Sequence, residues 1–322
     1  MNVLVTGAAG FIGFHYINNK LNKSKNLKIV GIDNLNNYYD VKLKNERLKI
    51  LKQKFPKNFK FFKISVNDEN KLKSIFKNFK ITKVVHFAAQ AGVRLSIDKP
   101  KFYIKNNIEG FCNLLENCRK FKVKNLIYAS SSSVYGDNKK NPFSEKDRVD
   151  NQASIYAISK RTNELMAEVY FKLYKINSIG IRFFTVYGPY GRPDMFYYKA
   201  SKKIISHKIL EIYNHGNHFR DFTYIDDAIS AMEKLENFYQ NKNYCEIFNV
   251  ANGKKISLHY FLKIIEKNLK IRAKTKFLKK QKGDVLLTSS NIKKLKKLGY
   301  SPKHNVNLGI KRFIDWFKTY NK

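Results

Sequence analysis

Apolar residues enter this chain in short runs, separated by segments whose apolar positions recur every three to four residues. The runs at 3–6, 28–32, 59–64, 83–88, 126–129 and 179–184 read as strands, and the segments at 12–21, 43–51, 72–79, 102–118 and 155–174 read as the helices between them. Strand and helix alternating in this way, with strands apolar nearly throughout, predict a parallel sheet covered on both faces. After Gly188-Pro189 the rhythm breaks, and short strands at 210–213, 246–250 and 274–277 mix with helices at 225–235, 258–268 and 306–317. The expected fold is α/β: a doubly wound parallel sheet over 1–185, with strand and helix returns from later segments, and a smaller C-terminal α+β lobe mainly over 186–322.

The first strand, Val3-Leu4-Val5-Thr6, leads into Gly7-Ala8-Ala9-Gly10-Phe11-Ile12-Gly13, a G-x-x-G-x-x-G placed between a strand and a helix. Glycines there permit a tight turn and let backbone N–H groups approach a pyrophosphate at the positive end of the helix, as in a Rossmann domain. Asp33 follows at the end of the second strand, 20 residues after Gly13. A carboxylate at that place accepts hydrogen bonds from both adenosine ribose hydroxyls and repels a 2′-phosphate, so NAD is expected over NADP.

The bulk numbers narrow the class. With 322 residues, 43% of them hydrophobic, the chain has ample material for such a core. Cys112, Cys118 and Cys245 form no C-x-x-C or metal-ligand spacing, so a reduced compartment and no metal are expected. No apolar run reaches the roughly 18 residues of a membrane span, and the expectation is a soluble, cytoplasmic protein without membrane partners. Charge is extreme, 63 basic against 25 acidic residues for a formal +38. The bases are mostly Lys, spread evenly and accompanied by no zinc finger, helix-turn-helix or stacking platform, which argues against specific nucleic-acid binding. What survives is a general attraction for small anionic substrates.

Two features suggest chemistry. Residues 128–136 read Y-A-S-S-S-S-V-Y-G, a buried strand ending in Ser130, Ser131, Ser132 and Ser133. Tyr156-Ala157-Ile158-Ser159-Lys160 is a Y-x-x-x-K, a spacing that puts phenol and ammonium on one helix face. The same spacing occurs at Tyr16/Lys20, Tyr38/Lys42, Tyr135/Lys139 and Tyr198/Lys202. Position singles out Tyr156, because it opens the long helix after the serine-ended strand. A phenol with a pKa near 10 is a poor base at neutral pH, and an adjacent ammonium favours its ionised form.

Together the glycine loop, strand-end serines, V-Y-G and Y-x-x-x-K resemble the extended short-chain dehydrogenase/reductase family over nearly the whole chain. The stretches D-N-L-N-N-Y-Y-D (33–40), H-F-A-A-Q-A-G-V-R (86–94), R-F-F-T-V-Y-G-P-Y-G-R-P-D-M (182–195) and R-D-F-T-Y-I-D-D (220–227) are most similar, within it, to the UDP-glucuronate 4-epimerases. The resemblance implies an NAD-dependent isomerase that acts as a homodimer on UDP-sugars in polysaccharide biosynthesis. Tyr156 and Ser131, with Lys160, would move the proton of the sugar 4-hydroxyl while hydride leaves C4, giving a 4-keto sugar that is reduced on its other face. It also implies cofactor contacts from Gly7, Gly10, Phe11, Ile12, Gly13, Asp33, Ala88, Asn107 and Lys160. Substrate contacts are implied for Ser132, Ser133 and Thr185 at the carboxylate, Arg192 and Arg220 at the diphosphate, Asp284 at the uridine ribose, and Arg94 at phosphate or uronate.

Dehydrating relatives carry Asp and Glu where this chain has Ser132 and Ser133, and decarboxylating relatives carry a Glu at Ser133. The chain therefore has no evident group to act on C5. Ser65-Val66 stands where relatives often hold an acid against adenine, and Lys282 where Pro is common before Gly-Asp. A UDP-hexose 4-epimerase (UDP-glucose or UDP-N-acetylglucosamine), a UDP-glucuronate decarboxylase, an idle NAD-binding scaffold and a nucleic-acid-associated protein remain the alternatives. Asp226-Asp227 reads as a helix cap rather than a metal site.

Overall fold

The structure is a computed structural model that describes residues 1–239, 243–280 and 285–321. By the density of its contacts the chain divides into two compact units, one of 1–137, 148–182 and 233–248, the other of 138–147, 183–232 and 249–322.

The first unit is built on β1 (Asn2–Thr6), β2 (Lys28–Asp33), β3 (Phe59–Lys63), β4 (Lys83–His86), β5 (Asn125–Ser131) and β6 (Asn177–Phe183), joined by β10 (Cys245–Val250) from late in the chain. They form one seven-stranded sheet in the order β10-β6-β5-β4-β1-β2-β3. β1 pairs in parallel with β2 and β4, and the register sets Thr6 opposite both Ile32 and His86. The strand order reverses outward from β1, and in such sheets ligands bind at the carboxyl ends of the strands beside the reversal.

The connecting helices are α1 (Phe11–Lys23), α2 (Val41–Lys54), α3 (Glu69–Phe79), α4 (Val93–Asp98), α5 (Pro100–Tyr103), α6 (Gly110–Lys120) and α7 (Ile155–Tyr174). Side-chain caps start three of them: Asp40 accepts from the Lys42 N–H, Asp68 from Lys71 and Ser154 from Ala157. One core joins Leu4, Val30, Val84 and Leu126 of the strands to Leu72 and Phe76 of α3 and Phe111, Leu114 and Leu115 of α6. Each such side chain contributes about 1.5–3 kcal/mol when fully buried.

One helix differs from the sequence expectation, and a second settles a facing that its periodicity leaves open. The helix expected over 102–118 is broken by a π-helical turn at Ile104–Glu109. Its centre, Asn107, is buried and turned inward to bond other elements, and Gly110 lies so close to Val66 that a Cβ would stand 2.6 Å from Val66 Cγ2. The wider turn is thus dictated by side-chain contacts that periodicity does not show. In α7, the apolar stripe Ile158, Leu165 and Val169 is the outer face, while the buried face carries Ala157, Ser159, Lys160, Asn163, Glu164 and Ala167. The usual partition is inverted because this helix faces a polar cluster.

The second unit holds β7 (Thr185–Tyr187), α8 (Phe196–Ile205), β8 (Leu210–Tyr213), β9 (Phe219–Tyr224), β11 (Lys255–Ser257), α10 (Leu258–Leu269), β12 (Thr275–Leu278), α11 (Lys293–Lys296), α12 (Val306–Tyr320) and the start of α9 (Ile225–Phe238). Its strands form a three-stranded sheet, β11-β9-β7, and a two-stranded one, β12-β8. Phe222 of β9 stacks on Phe261 of α10 with centroids 3.8 Å apart, and Tyr197 meets Phe313 edge-on at 4.8 Å. Asp227 lies in the first turn of α9, and its buried carboxylate accepts the N–H groups of Lys303 and His304 and pairs with His304 Nδ1 at 2.9 Å.

Candidate active site

Gly7 ends β1 at φ +69°, and a Cβ there would stand 2.7 Å from the Ala88 nitrogen. Gly13 packs under the same turn, where a Cβ would meet the Gly7 carbonyl oxygen at 2.3 Å. Only glycine lets the turn, the start of α1 and the chain after β4 approach this closely. Gly10 precedes α1 and gives it no side-chain cap, so the N–H groups of Phe11, Ile12 and Gly13 in the first turn have no carbonyl within the helix to bond. That arrangement suits an anionic diphosphate.

Asp33, at the end of β2, is tied to this loop: Oδ2 accepts the Ala9 N–H at 3.3 Å and Oδ1 the Leu35 N–H at 2.8 Å. Two supports escaped the sequence reading. Arg47 of α2 is buried and donates Nη1 to the Ala9 carbonyl and to Tyr39 Oη, each at 2.8 Å. Its signal was a charge in line with Leu43 and Leu51 on an apolar helix stripe. Thr6 Oγ1 accepts the Ala88 N–H and bonds His86 Nδ1 at 2.8 Å. Burial, with the Lys160 charge second, lowers the His86 pKa to about 3, so its imidazole is neutral.

Tyr156 and Lys160 occupy the first turns of α7, one turn apart. Lys160 is buried and donates Nζ to the Ala129 carbonyl of β5 at 2.8 Å. Burial lowers its pKa to about 8, and the Glu164 carboxylate opposes that fall. The half-buried Tyr156 ring meets Tyr103 edge-on at 6.1 Å. Ser131 is the last residue of β5 and caps the tight turn Ser132–Tyr135, its Oγ accepting the Ser133 N–H and lying 3.1 Å from Ser133 Oγ. The serine run is thus a strand end folded back on itself, with Ser132 and Ser133 half-buried.

Asn107 bridges elements: Oδ1 accepts the Gln90 N–H at 2.7 Å, and Nδ2 donates to the Gln90 carbonyl and Ser159 Oγ at 3.0 Å each. With its amide nitrogen turned to donate, Asn163 bonds the carbonyls of Ser159 and Asn107 at 2.9 Å. Ala88 is half-buried beside Gly7, and Arg94 is exposed on α4.

The remaining expected residues belong to the second unit. Thr185 opens β7 and is half-buried. Arg192 makes a two-point pair with Asp194, at 3.0 and 2.5 Å. Arg220 of β9 donates to the carbonyls of Phe219 and Leu286. Next to it Asp221 is buried and accepts N–H groups from Asn252, Gly253 and Ser290; burial pushes its carboxyl up to about 7 against those bonds. Asp284 lies outside the described residues.

A family model described as the NAD dependent epimerase/dehydratase family matches residues 3–251. UDP-glucuronate 4-epimerase from Thermodesulfobacterium geofontis is 41% identical over 98% of this chain and 95% of its own length. UDP-glucuronate 4-epimerase 4 from Arabidopsis thaliana is 40% identical over 99% of this chain and 76% of its own. Among solved structures, UDP-glucuronic acid 4-epimerase from Bacillus cereus, in complex with UDP-glucuronic acid and NAD, superposes with a TM-score of 0.92 at 33% identity, covering 99% of this chain and 100% of that one.

Proposed function

This chain belongs to the NAD dependent epimerase/dehydratase family, and from that premise we propose that it interconverts UDP-glucuronate and UDP-galacturonate. The observation that carries the reading is the company kept by Tyr156 and Lys160: a strand end of neutral hydroxyls, Ser131, Ser132 and Ser133, without an acid to work on C5.

The first unit fits NAD. The cradle at Gly7 and Gly13 has no room for a Cβ, the first turn of α1 offers N–H groups to a diphosphate, and the Asp33 carboxylate suits an unphosphorylated ribose. When bound, NAD supplies reversible hydride acceptance at C4 of the sugar. The protein's part is acid–base work and restraint. Tyr156, as phenolate, takes the proton of the 4-hydroxyl and later returns it, with Ser131 bonding the same oxygen. The Lys160 ammonium favours the phenolate and is fixed by the Ala129 carbonyl. A 4-keto uronate is a β-keto acid and loses CO₂ when its carboxylate aligns with the carbonyl π system. Neutral donors at Ser132, Ser133 and Thr185 hold that carboxylate without delivering a proton to C5. Arg192 and Arg220 are assigned to the diphosphate, which a guanidinium fork suits, and Asp284 to the uridine ribose. Arg94 is assigned to phosphate or uronate. Asn107, bonded on both sides of its amide, shapes the turn beside Ala88 and Gln90.

End-point NMR of the enzyme with UDP-glucuronate and no added reductant tests the reading. A near-balanced mixture with UDP-galacturonate supports it; UDP-pentose with CO₂, or inversion of UDP-glucose alone, overturns it. Thr185→Val should raise KM for UDP-glucuronate by about 10-fold or more, the worth of one hydrogen bond to a charged group, and increase the decarboxylated share. If neither changes, Thr185 does not hold the carboxylate.

The assembly we propose is a homodimer through α7, whose outer face exposes Ile158 by 42%, Leu165 by 46%, Val169 by 48% and Leu173 by 65%. Light scattering should show a dimer that Leu165→Glu converts to monomer. The free thiols of Cys112, Cys118 and Cys245 support a reducing, cytoplasmic setting. No helix among the described residues is long and apolar enough to cross a membrane.

A further inference from the structure

Glu164 lies one turn beyond Lys160 on α7, buried, and none of the roles above uses it. Its carboxylate has four donors: Ser130 Oγ at 2.7 Å, Arg182 Nε and Nη2 at 2.8 Å each, and Arg161 Nη1 at 3.1 Å. Arg182 is a charge inside the fully buried strand β6, and its guanidinium carbon sits 4.8 Å from the centre of the Tyr135 ring. Ser130 precedes Ser131, and Tyr135 closes the turn that Ser131 caps. One carboxylate therefore grips both ends of the serine segment, directly at Ser130 and through Arg182 at Tyr135, from the helix that carries Tyr156 and Lys160.

We propose that Glu164 is a positioning residue for this reaction: it locks the Ser131 segment to the Tyr156–Lys160 helix and sets a buried carboxylate one helical turn from Lys160. The role rests on Tyr156 and Lys160 being the catalytic pair. Fold stability alone accounts poorly for the cluster, because desolvating both charges of a buried ion pair offsets much of their attraction.

Apart from the Tyr156 phenolate formed in the reaction, the groups around Lys160 leave the charge role to Glu164. β4 presents His86, neutral; β5 presents the Ala129 carbonyl; α7 itself presents Tyr156 and Glu164. Around Glu164 stand Arg161, Arg182, the Ser130 hydroxyl and the buried Tyr128 phenol. Burial, Glu164 and then Cys245 of β10 disfavour ionisation of that phenol. Burial depresses the Lys160 pKa and Glu164 opposes it, so losing the carboxylate charge lets Lys160 shed its proton at lower pH. Since the working enzyme needs the ammonium, the alkaline limb of its pH profile moves toward neutrality.

The test compares pH profiles of kcat for UDP-glucuronate in the NAD-loaded enzyme and three variants. Glu164→Gln should move the alkaline limb down by about 0.5 pH unit or more with KM little changed. Glu164→Asp, which keeps the charge, should restore the limb, and Ser130→Ala should leave it in place. Lysine ¹³Cε NMR, with the Lys160 signal identified by its loss in Lys160→Met, should show the same displacement without reference to turnover. If Glu164→Gln does not fold, Glu164→Gln/Arg182→Met removes the orphaned guanidinium and is read in the same way. A folded variant whose limb and Lys160 titration both stay at the wild-type position overturns the proposal. Wild-type enzyme that does not epimerise UDP-glucuronate sinks the reaction instead, and the NMR comparison still decides what Glu164 does to Lys160.

Discussion

Tyr156→Phe is expected to bind NAD as the parent does and to lose about 10²–10⁴-fold or more in kcat, the usual worth of a positioned acid–base group. The substitution removes one oxygen and little else. The ring keeps its edge-on contact with Tyr103 at 6.1 Å, and the cap of α7 belongs to Ser154, whose hydroxyl accepts the Ala157 N–H. Lys160 keeps its bond to Ala129. Stability should therefore change by less than about 1 kcal/mol, and the NAD content of the purified variant should match the parent. Turnover left intact would remove Tyr156 from the mechanism and, with it, the reason for an ammonium one turn away.

Gly7→Ala is the second large effect, and it acts through the backbone. At φ +69° an alanine costs about 1–2 kcal/mol in a left-handed conformation. Its Cβ would also stand 2.7 Å from the Ala88 nitrogen, a backbone atom that yields only if β4 and its following loop shift. Overpacking of that kind adds about 1–3 kcal/mol. The shift displaces the Ala88 N–H from Thr6 Oγ1 and opens the turn that presents the start of α1. The variant should melt several degrees lower and lose most of its bound NAD on gel filtration. Retention of NAD at the parent's level would show that the glycine turn does not contact the diphosphate.

Much of the candidate site was readable along the chain because it depends on local geometry. A glycine turn between a strand and a helix, a carboxylate ending the next strand and a Tyr and Lys one turn apart need only neighbours in sequence to be recognised. The outer stripe of α7 was legible as an amphipathic pattern, but its direction was not: Ile158, Leu165 and Val169 face outward, because the helix turns Lys160 and Glu164 toward the sheet and Asn163 toward the π turn. Periodicity reports that a helix has two faces, and burial of polar groups depends on partners elsewhere. The π turn at Ile104–Glu109 was missed for the same reason, since Asn107 is drawn inward by Gln90 and Ser159, residues 17 and 52 positions away.

Taken alone, the order of strands and helices, the glycine spacing and the Asp33 and Tyr156–Lys160 placements determined the α/β architecture, the cofactor class and the residues to which catalysis is assigned, since each is a matter of spacing along a regular element. Tertiary structure decided which charges are buried together. Arg47 on the Ala9 carbonyl, His86 on Thr6 and the Glu164–Arg182–Ser130 cluster join residues 18 to 80 positions apart. A charge or hydroxyl becomes costly to bury and strong to pair only once folding has removed its water, and which partner then meets it is set by the packing of the sheet and its helices.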